Sequence, residues 1–209
     1  MKLGIVLSGA SYGKKIGNNQ FDRDWNLSKN NIKSNLIDCF PNDEVSVYIV
    51  TYTDPSNKQL IDFYNPKKAL FLPYEGSHQR TTYKAGLQVA LTDDLDFVIS
   101  TRFDIKFNDF VSNYNFDFNK VNFLFKDMEP HWTNTQYVGD CLHGIPKKYS
   151  EQFIQALDIE HQSNGWFMHG LYNRMSSMIG ESELHFLLDG NYNSNENIHY
   201  ELIRATIAE

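Results

Sequence analysis

Short apolar runs alternate with helical patterns along the first half of the chain. Helical spacing of apolar residues predicts helices at 27–40, 57–64 and 81–91. The apolar runs are β-rich and bounded by turn residues, as interior strands are, and they lie at 3–7, 45–50, 69–72, 96–100 and 121–125. Such alternation implies a mainly parallel sheet with right-handed crossovers. The sequence therefore predicts an α/β fold with a mainly parallel central sheet flanked by helices.

The second half of the chain has a more helical and less regular pattern. Helices are predicted there at 148–157, 166–178, 183–189 and 198–206. No repeat, low-complexity tract or linker rich in Pro, Gly and Ser divides the chain. A length of 209 residues fits one medium-sized domain. We therefore predict a single domain over 1–209 with an irregular, helical C-terminal part.

Charge and hydropathy exclude some classes of function. The net charge of −7 argues against non-specific nucleic-acid binding, which requires a basic face. No apolar stretch approaches about 20 residues, so no membrane span is predicted. The apolar run after Met1 is too short for a signal peptide, and Cys39 and Cys141 are then expected to be reduced thiols. These features predict a cytoplasmic protein without a nucleic-acid partner.

Small and polar residues follow three of the predicted strands. In open α/β sheets, ligands bind outside the carboxyl ends of the strands. This rule brings together the loops at 8–13, 51–55 and 101–106, which are rich in small, hydroxylated or charged residues. Gly9 and Gly13 permit close backbone approach, although this loop is neither a Walker motif nor a dinucleotide-binding fingerprint. The predicted functional site is therefore this edge of the sheet.

Arg102 and Asp104 form the sharpest motif of the sequence. Their i, i+2 spacing at the end of a strand sends both side chains to the same side of the chain. Asp104 can coordinate a hard divalent cation that bridges a diphosphate, and Arg102 can neutralise phosphate charge or fix the carboxylate through a bidentate pair. A structural salt bridge at the strand end explains the same two residues. The motif by itself leaves both interpretations open.

Several segments, in order along residues 1 to about 160, resemble motifs of GT-A glycosyltransferases. The segment 139–146 resembles the acceptor-side strand of these enzymes, and the donor-side motifs correspond to segments 7–9, 30–37, 47–54 and 100–105. The resemblance is to small GT-A enzymes of capsule-synthesis loci and of large DNA viruses, and most of all to the N-terminal domains of multi-domain glycosyltransferases of chlorella viruses.

The resemblance implies transfer of a hexose or deoxyhexose from a nucleoside-diphosphate donor, with a UDP-sugar expected, to a sugar hydroxyl of a glycan. It implies a nucleotide-binding half at about 1–107, an acceptor-side half at about 108–209, further domains in a longer chain and, for a viral protein, a location in the host cytoplasm. The residues that would contact the donor are Ser8, Gly9, Tyr12, Thr51, Tyr52, Thr53, Arg80, Lys84, Arg102 and Asp104.

A metal ion is also implied by the resemblance. Mn²⁺ or Mg²⁺ bound by Asp104 would offset charge on the leaving diphosphate. Most GT-A enzymes carry Asp-x-Asp at this strand end, and here Arg102 replaces the first Asp. This departure puts a two-carboxylate metal site in doubt, and a downstream ligand or water would have to complete the coordination.

Several candidates for the chemistry lie outside the three loops at the strand ends. Arg80 and Lys84, one helical turn apart, form either a clamp on the diphosphate or ribose or an ordinary solvated face, and the clamp is favoured only for Arg80. In an inverting transfer Asp140 is the candidate base for the acceptor hydroxyl, with His143 as an alternative base or metal ligand, although a structural role explains either residue. Of the remaining histidines, only His169 is singled out, because it follows three large apolar residues.

Two other classes of protein fit parts of the pattern. A sugar nucleotidyltransferase shares a similar sheet but typically has a Gly-rich loop with Arg and Lys after the first strand, and here Lys14 and Lys15 follow without an Arg. The other class is a non-catalytic carbohydrate-binding domain, which presents aromatic platforms to sugars. The tryptophans available for such platforms are Trp25, Trp132 and Trp166.

Overall fold

A seven-stranded sheet forms the centre of the protein. The computed structural model describes residues 1–13, 21–73, 79–164, 168–193, 196–203 and 205–206. The strands in chain order are β1 (Lys2–Ser8), β2 (Tyr12–Gly13), β3 (Phe21–Asp24), β4 (Glu44–Tyr52), β5 (Lys68–Leu72), β6 (Phe97–Arg102), β7 (Ile105–Phe107), β8 (Val121–Phe123), β9 (Lys126–Asp127), β10 (Leu142–Pro146), β11 (Leu184–Phe186), β12 (Asn191–Tyr192), β13 (Tyr200–Leu202) and β14 (Ala205–Thr206). The central sheet has the order β11-β8-β10-β6-β1-β4-β5.

The sheet is mainly parallel, as the sequence predicts. β1 lies near its middle and pairs in parallel with β4 on one side and with β6 on the other. β4 with β5, and β8 with β11, are parallel as well, whereas β10 runs antiparallel to both of its neighbours. The five strands predicted from apolar runs are confirmed as β1, β4, β5, β6 and β8.

Helices cover both faces of this sheet. The α-helices are α1 (Lys29–Ile32), α2 (Asn57–Tyr64), α3 (Gln79–Ala90), α4 (His131–Thr135), α5 (Ser150–Asn164) and α6 (Leu171–Ile179). A π-helical segment, Lys33–Ile37, continues α1. The 3₁₀ turns are Trp25–Leu27, Val111–Asn113, Lys147–Tyr149, Met168–Gly170 and Glu181–Glu183. The helix predicted at 27–40 is therefore present but is built from three short helical types.

Two apolar cores lie on opposite faces of the sheet because side chains alternate along each strand. Leu3, Ile5 and Leu7 of β1 belong to the core that also contains residues of α1 and α2. Val6 belongs to the second core, which contains residues of α3, α5 and α6. A parallel strand buried on both faces carries a continuous apolar run, which is why β1 is apolar from Leu3 to Leu7. No helix in the described ranges is long and apolar enough to span a membrane.

Of the four helices predicted in the second half of the chain, the last two, at 183–189 and 198–206, were wrong. Residues predicted as a helix at 183–189 form a 3₁₀ turn and then β11, which pairs in parallel with β8. Residues predicted as a helix at 198–206 form β13, paired with β7, and β14, paired with β3. In segments this short, helical and alternating spacings of apolar residues are hard to distinguish, and the available sheet edges decide the conformation.

Candidate functional site

The carboxyl ends of three parallel strands meet at one edge of the sheet, called the carboxyl edge below. Ser8, the last residue of β1, lies opposite Val50 of β4 and Arg102 of β6. β10 runs in the opposite direction, and Leu142 at its beginning lies opposite Thr101. The carboxyl edge therefore collects the loops after β1, β4 and β6 together with the segment that leads into β10.

Arg102 and Asp104 form a bidentate ion pair at this edge. Arg102 donates from Nε to Oδ1 of Asp104 at 2.6 Å and from Nη2 to Oδ2 at 2.7 Å. The two side chains are 12% and 7% exposed. Burial alone would lower the pKa of the Arg102 guanidinium, but the charge of Asp104 and its hydrogen bonds raise that pKa well above the ordinary value. Arg102 therefore stays a cation, held rigidly against the carboxylate.

This pair bears directly on the metal predicted at Asp104. Both oxygens of Asp104 already accept hydrogen bonds from a guanidinium, whose positive charge opposes a divalent cation at the same carboxylate. Within the part of the chain that the structure describes, no group of three or more His, Cys, Asp or Glu residues is suited to hold a metal ion. A Mn²⁺ or Mg²⁺ ion at Asp104 would have to displace Arg102 from the carboxylate, and the salt bridge that the motif left open is the arrangement observed.

Asp140 lies beside this pair, in the segment that leads into β10. Its Oδ2 is 4.0 Å from Nη1 of Arg102 and 4.0 Å from Nε2 of His169. Burial would raise the pKa of Asp140, but the charges of His169, Arg102 and His143 outweigh burial and hold that pKa below its ordinary value. The side chains of Asp140 and His169 are 14% and 22% exposed, so a carboxylate and an imidazole both open onto the carboxyl edge.

His143 lies inside the sheet, away from this opening. It is fully buried in β10, opposite Ser100 of β6 and Phe123 of β8. Its Nδ1 is hydrogen-bonded to the hydroxyl of Tyr83 at 2.9 Å. Burial lowers the pKa of His143 to about 4, so the ring is neutral at neutral pH. Enclosed in this way, His143 presents no ring atom to a substrate, and Asp140 is the better placed of the two predicted bases.

A hydrogen-bond network ties the loop after β1 to the loop after β4. The backbone N of Ser11 donates to Oγ1 of Thr51 at 3.2 Å, and the two hydroxyl oxygens are 2.8 Å apart. Ser11 Oγ also donates to Oδ2 of Asp54 at 3.2 Å, and Oδ1 of Asp54 accepts from the backbone N of Ser56 at 2.7 Å. Sequence reasoning missed Ser11 and Asp54, although Asp-Pro-Ser is a turn signal. The network fixes the spacing of the two loops.

The residues predicted to contact the nucleotide differ in exposure. Thr51 and Tyr52 are buried at the end of β4, and Ser8 is buried at the end of β1. Thr53 is exposed, and the ring of Tyr12 is 44% exposed. The burial of Tyr52 leaves Tyr12 as an aromatic ring that a base can reach at this edge.

Gly9 shapes the space next to these side chains. Its φ of +105° is a conformation that side chains other than glycine rarely adopt. A Cβ placed on Gly9 would have no described atom within 4 Å, although the residue itself is buried. Among the described residues, none fills the space on the side of Gly9 where a side chain would point.

Helix α3 begins at the carboxyl edge because it connects the parallel strands β5 and β6. Lys84 donates from Nζ to both carboxylate oxygens of Asp158 in α5, at 2.8 and 2.7 Å. Nη1 of Arg80 is buried and has no hydrogen-bond partner among the described residues. Burial lowers the pKa of Arg80. Lys84 is thus engaged in a contact between two helices, whereas Arg80 keeps a buried donor at the start of α3.

One of the tryptophans predicted as a possible surface platform for sugars lies inside the protein. Trp25 is buried in the first core. Trp132 packs edge-on against Tyr172, with ring centroids 5.1 Å apart, and Nζ of Lys126 lies 5.0 Å from the Trp132 ring. Trp166 lies outside the described residues. The prediction of a surface platform is therefore wrong for Trp25, because its ring supports the core.

Comparison with known proteins identifies the fold. The sequence matches no protein-family model and no curated protein. A protein provisionally assigned as a nucleotide-diphospho-sugar transferase, from Desulfovibrio desulfuricans G20, has a TM-score of 0.55 over 92% of this chain and 82% of its own, at 11% identity. The 4-diphosphocytidyl-2C-methyl-D-erythritol synthase of Anaerococcus prevotii DSM 20548 has a TM-score of 0.53 over 94% and 92%, at 12% identity. The chain therefore has the α/β fold of nucleotide-diphospho-sugar transferase-like proteins.

Proposed function

We propose that the protein is a glycosyltransferase that moves a hexose or deoxyhexose from a nucleoside-diphosphate sugar to a hydroxyl group of a glycan. The observation that carries this proposal is the position of Arg102 beside Asp140 at the carboxyl edge, where α3 with Arg80 also begins. A leaving diphosphate needs preorganised cationic donors, and an acceptor hydroxyl needs a group that promotes loss of its proton. One protein of similar fold is named for such a donor. The resemblance of the sequence motifs favours a UDP-sugar.

The donor side of the proposed site combines charge with an open loop. Arg102 is already charged and oriented, and Arg80 has a buried donor atom with no partner in the described ranges. Tyr12, Thr53 and the backbone beside Gly9 border the space where the nucleoside would lie. In this arrangement the two arginines carry the positive charge that faces the diphosphate. The Mn²⁺ or Mg²⁺ implied by the resemblance stays a prediction for experiment.

Asp140 is proposed as the carboxylate on which deprotonation of the acceptor hydroxyl depends, in an inverting transfer. It lies next to Arg102, so an acceptor placed against Asp140 would also lie close to the diphosphate end of the donor. The acceptor would then be held by the half of the chain after residue 107. By the order of its motifs we also place the chain near the small glycosyltransferases of capsule-synthesis loci and large DNA viruses.

A sugar nucleotidyltransferase is the second candidate. One protein of similar fold, matched over 94% of this chain and 92% of its own, is a synthase of a diphosphocytidyl compound. In such a reaction the two arginines would bind a nucleoside triphosphate, and pyrophosphate would leave. Lys14 and Lys15, which bear on this alternative, lie outside the described residues.

One experiment separates the two candidates. A thermal-shift screen of UDP-glucose, UDP-galactose, GDP-mannose, dTDP-rhamnose, UTP and CTP, with and without Mn²⁺, identifies ligands, since binding to the folded state raises the melting temperature. Nucleoside diphosphate released from a sugar donor supports the glycosyltransferase, and pyrophosphate released from a triphosphate and a sugar phosphate supports the second candidate. If no panel member stabilises the protein, both proposals are contradicted.

The same screen tests the metal. If Mn²⁺ enhances the shift by the best nucleotide and Asp104→Asn abolishes the enhancement, Asp104 is a metal ligand in the complex and must leave Arg102 when the ion binds. A shift that is independent of Mn²⁺ in both proteins supports charge neutralisation by arginine alone.

A further inference from the structure

Tyr137 lies three residues before Asp140, in a segment that the backbone around it holds firmly. The carbonyl oxygen of Tyr137 accepts from the backbone N of Asp127 at 2.9 Å, and the backbone N of Gly139 donates to the carbonyl oxygen of Phe125 at 3.0 Å. A Cβ placed on Gly139 would lie 2.8 Å from the ring of Phe125, so the backbone packs directly on that ring. The ring of Tyr137 and the carboxylate of Asp140 are therefore carried on one fixed piece of backbone.

The ring of Tyr137 belongs to a group of three neighbouring rings, His131, Tyr137 and His169, called the aromatic cluster below. The centroid of the Tyr137 ring is 6.4 Å from that of His131 and 6.1 Å from that of His169. The side chains of the two histidines are 56% and 22% exposed, and Tyr137 is half-buried. Nε2 of His169 lies 4.0 Å from Oδ2 of Asp140. The aromatic cluster is thus a partly exposed surface that adjoins the carboxylate proposed to act on the acceptor.

The aromatic cluster and the proposed nucleoside site lie on different sides of β6. In the sheet, β1 and β4 lie on one side of β6, and β10 and β8 lie on the other. β8 is antiparallel to β10 and so has the direction of β6, which means that the chain after β8 leaves the sheet at the carboxyl edge. His131 and Tyr137 lie in that stretch, between β8 and β10. A donor with its nucleoside over β1 and β4 and its diphosphate at Arg102 therefore leaves the aromatic cluster to the acceptor.

We propose that the aromatic cluster is the acceptor site, in which the apolar face of a pyranose ring packs on Tyr137 and its reacting hydroxyl points towards Asp140. The role of the bound sugar as an acceptor rests on the proposed sugar transfer. A pyranose has an apolar face of C–H groups and a rim of hydroxyl groups, so it is bound by an apolar surface with a few polar groups at its border. A tyrosine ring offers a large contact area and loses little conformational entropy on binding.

The two histidines of the aromatic cluster are oriented before a ligand binds. Nδ1 of His131 is 3.2 Å from Oδ2 of Asp127, and Nδ1 of His169 is 2.7 Å from the carbonyl oxygen of Val138. Because these contacts fix the rings on either side of Tyr137, a sugar bound there spends less free energy on ordering side chains. Tyr137 is then a specificity-determining residue, which selects acceptors that have an unhindered apolar face next to the reacting hydroxyl.

The variant Tyr137→Leu tests the proposal, since leucine keeps apolar volume and removes the aromatic face. The probes are methyl β-galactopyranoside, methyl β-glucopyranoside, methyl α-mannopyranoside and methyl α-rhamnopyranoside, each titrated in the presence of UDP and followed by saturation-transfer NMR. We expect at least one glycoside to bind the wild-type protein through its C–H protons, with affinity about tenfold lower in Tyr137→Leu and retained in Tyr137→Phe. Isothermal titration should give the same UDP affinity in all three proteins.

The matched control is Tyr149→Leu. Tyr149 follows the end of β10 at the opposite edge of the sheet, where its hydroxyl donates to Glu183, so this variant should bind the glycosides and UDP as the wild type does. The melting temperature of each variant shows whether it is folded. A loss of glycoside affinity in Tyr137→Leu that unfolding explains overturns the proposal, as does an equal loss in Tyr149→Leu.

The remaining outcomes separate this inference from the proposed function. If the wild-type protein binds UDP but none of the glycosides, or if Tyr137→Leu binds them as tightly as the wild type, the acceptor site is not at Tyr137. A loss of UDP affinity in Tyr137→Leu would assign the ring to the nucleotide and would also overturn the proposal. A protein that binds a glycoside at Tyr137 but no nucleotide supports a sugar site there and contradicts the proposed transfer instead.

Discussion

Arg102 donates to both carboxylate oxygens of Asp104, at 2.6 and 2.7 Å, although a carboxylate at this strand end was expected to hold a metal ion. These two hydrogen bonds orient the guanidinium of Arg102 so that its remaining nitrogen, Nη1, lies 4.0 Å from Oδ2 of Asp140. One residue thus connects the carboxylate predicted for the donor side with the carboxylate predicted for the acceptor side. The two halves of the proposed site are coupled through a single guanidinium.

Removing Asp104 should destabilise the fold. Asp104→Ala leaves the buried guanidinium of Arg102 without its main counter-ion, and breaking a buried pair in this way costs roughly 3 kcal/mol of unfolding free energy. Urea denaturation measures the change. The control is Asp62→Ala, which removes an exposed ion pair with Lys58 and should change stability little. Equal stability of the two variants would show that the buried pair is not a structural element.

Arg80 and Lys84 should differ in their effect on ligand binding. Arg80→Gln removes the cation whose Nη1 is buried without a partner among the described residues, and a lost charge-assisted hydrogen bond to phosphate should weaken nucleotide binding about tenfold or more. Lys84→Gln removes the contact with Asp158 and should leave nucleotide affinity nearly unchanged. Isothermal titration with UDP measures both. A larger effect at Lys84 would assign the diphosphate to the other end of this helix face.

Asp140 should affect turnover and not donor binding. A group that promotes proton transfer contributes about 10²–10⁴-fold in rate, so Asp140→Asn should depress kcat by that factor with donor Kd nearly unchanged. The matched control is Asp189→Asn, an exposed carboxylate in the same half of the chain, which should behave as wild type. The anomeric proton of the first-formed product, followed by NMR, reports the stereochemistry. Retention of configuration at the anomeric carbon would remove the need for a general base at Asp140.

His143 should make the stability of the protein depend on pH. Burial lowers its pKa to about 4 from the ordinary 6.5, so the unfolded chain binds the proton more tightly than the folded one. The free energy of unfolding is therefore unaffected by this histidine above about pH 6.5. It decreases as the pH falls from there towards 4, with a slope near 1.4 kcal/mol per pH unit, because the unfolded chain takes up the proton first. Urea titrations between pH 7 and 5 should show a weaker dependence in His143→Gln. Identical slopes in both proteins would contradict the assignment.

The accuracy of the sequence-based predictions follows the length and character of each segment. The runs that became β1, β4 and β6 are buried along most of their length, and continuous apolar runs of this kind are characteristic of parallel strands. β11 and β13 have three residues each, which is too short for the spacing of apolar residues to distinguish a strand from a helix. They are strands because β11 pairs with the edge of β8 and β13 pairs with β7. Pairing with distant residues, which is invisible locally, decided their conformation.

The sequence by itself determined the α/β class and the edge of the sheet where polar loops gather, because strand–helix alternation forces the ends of parallel strands to the same side. Only the tertiary structure decided how the charged residues at that edge are used. It closed Arg102 onto Asp104, buried His143 among aromatic rings, and brought His169 to within 4.0 Å of Asp140. The physical reason is that burial and charge pairing depend on which segments the fold brings together, and the segments that carry Asp140 and His169 are joined only by the folded chain.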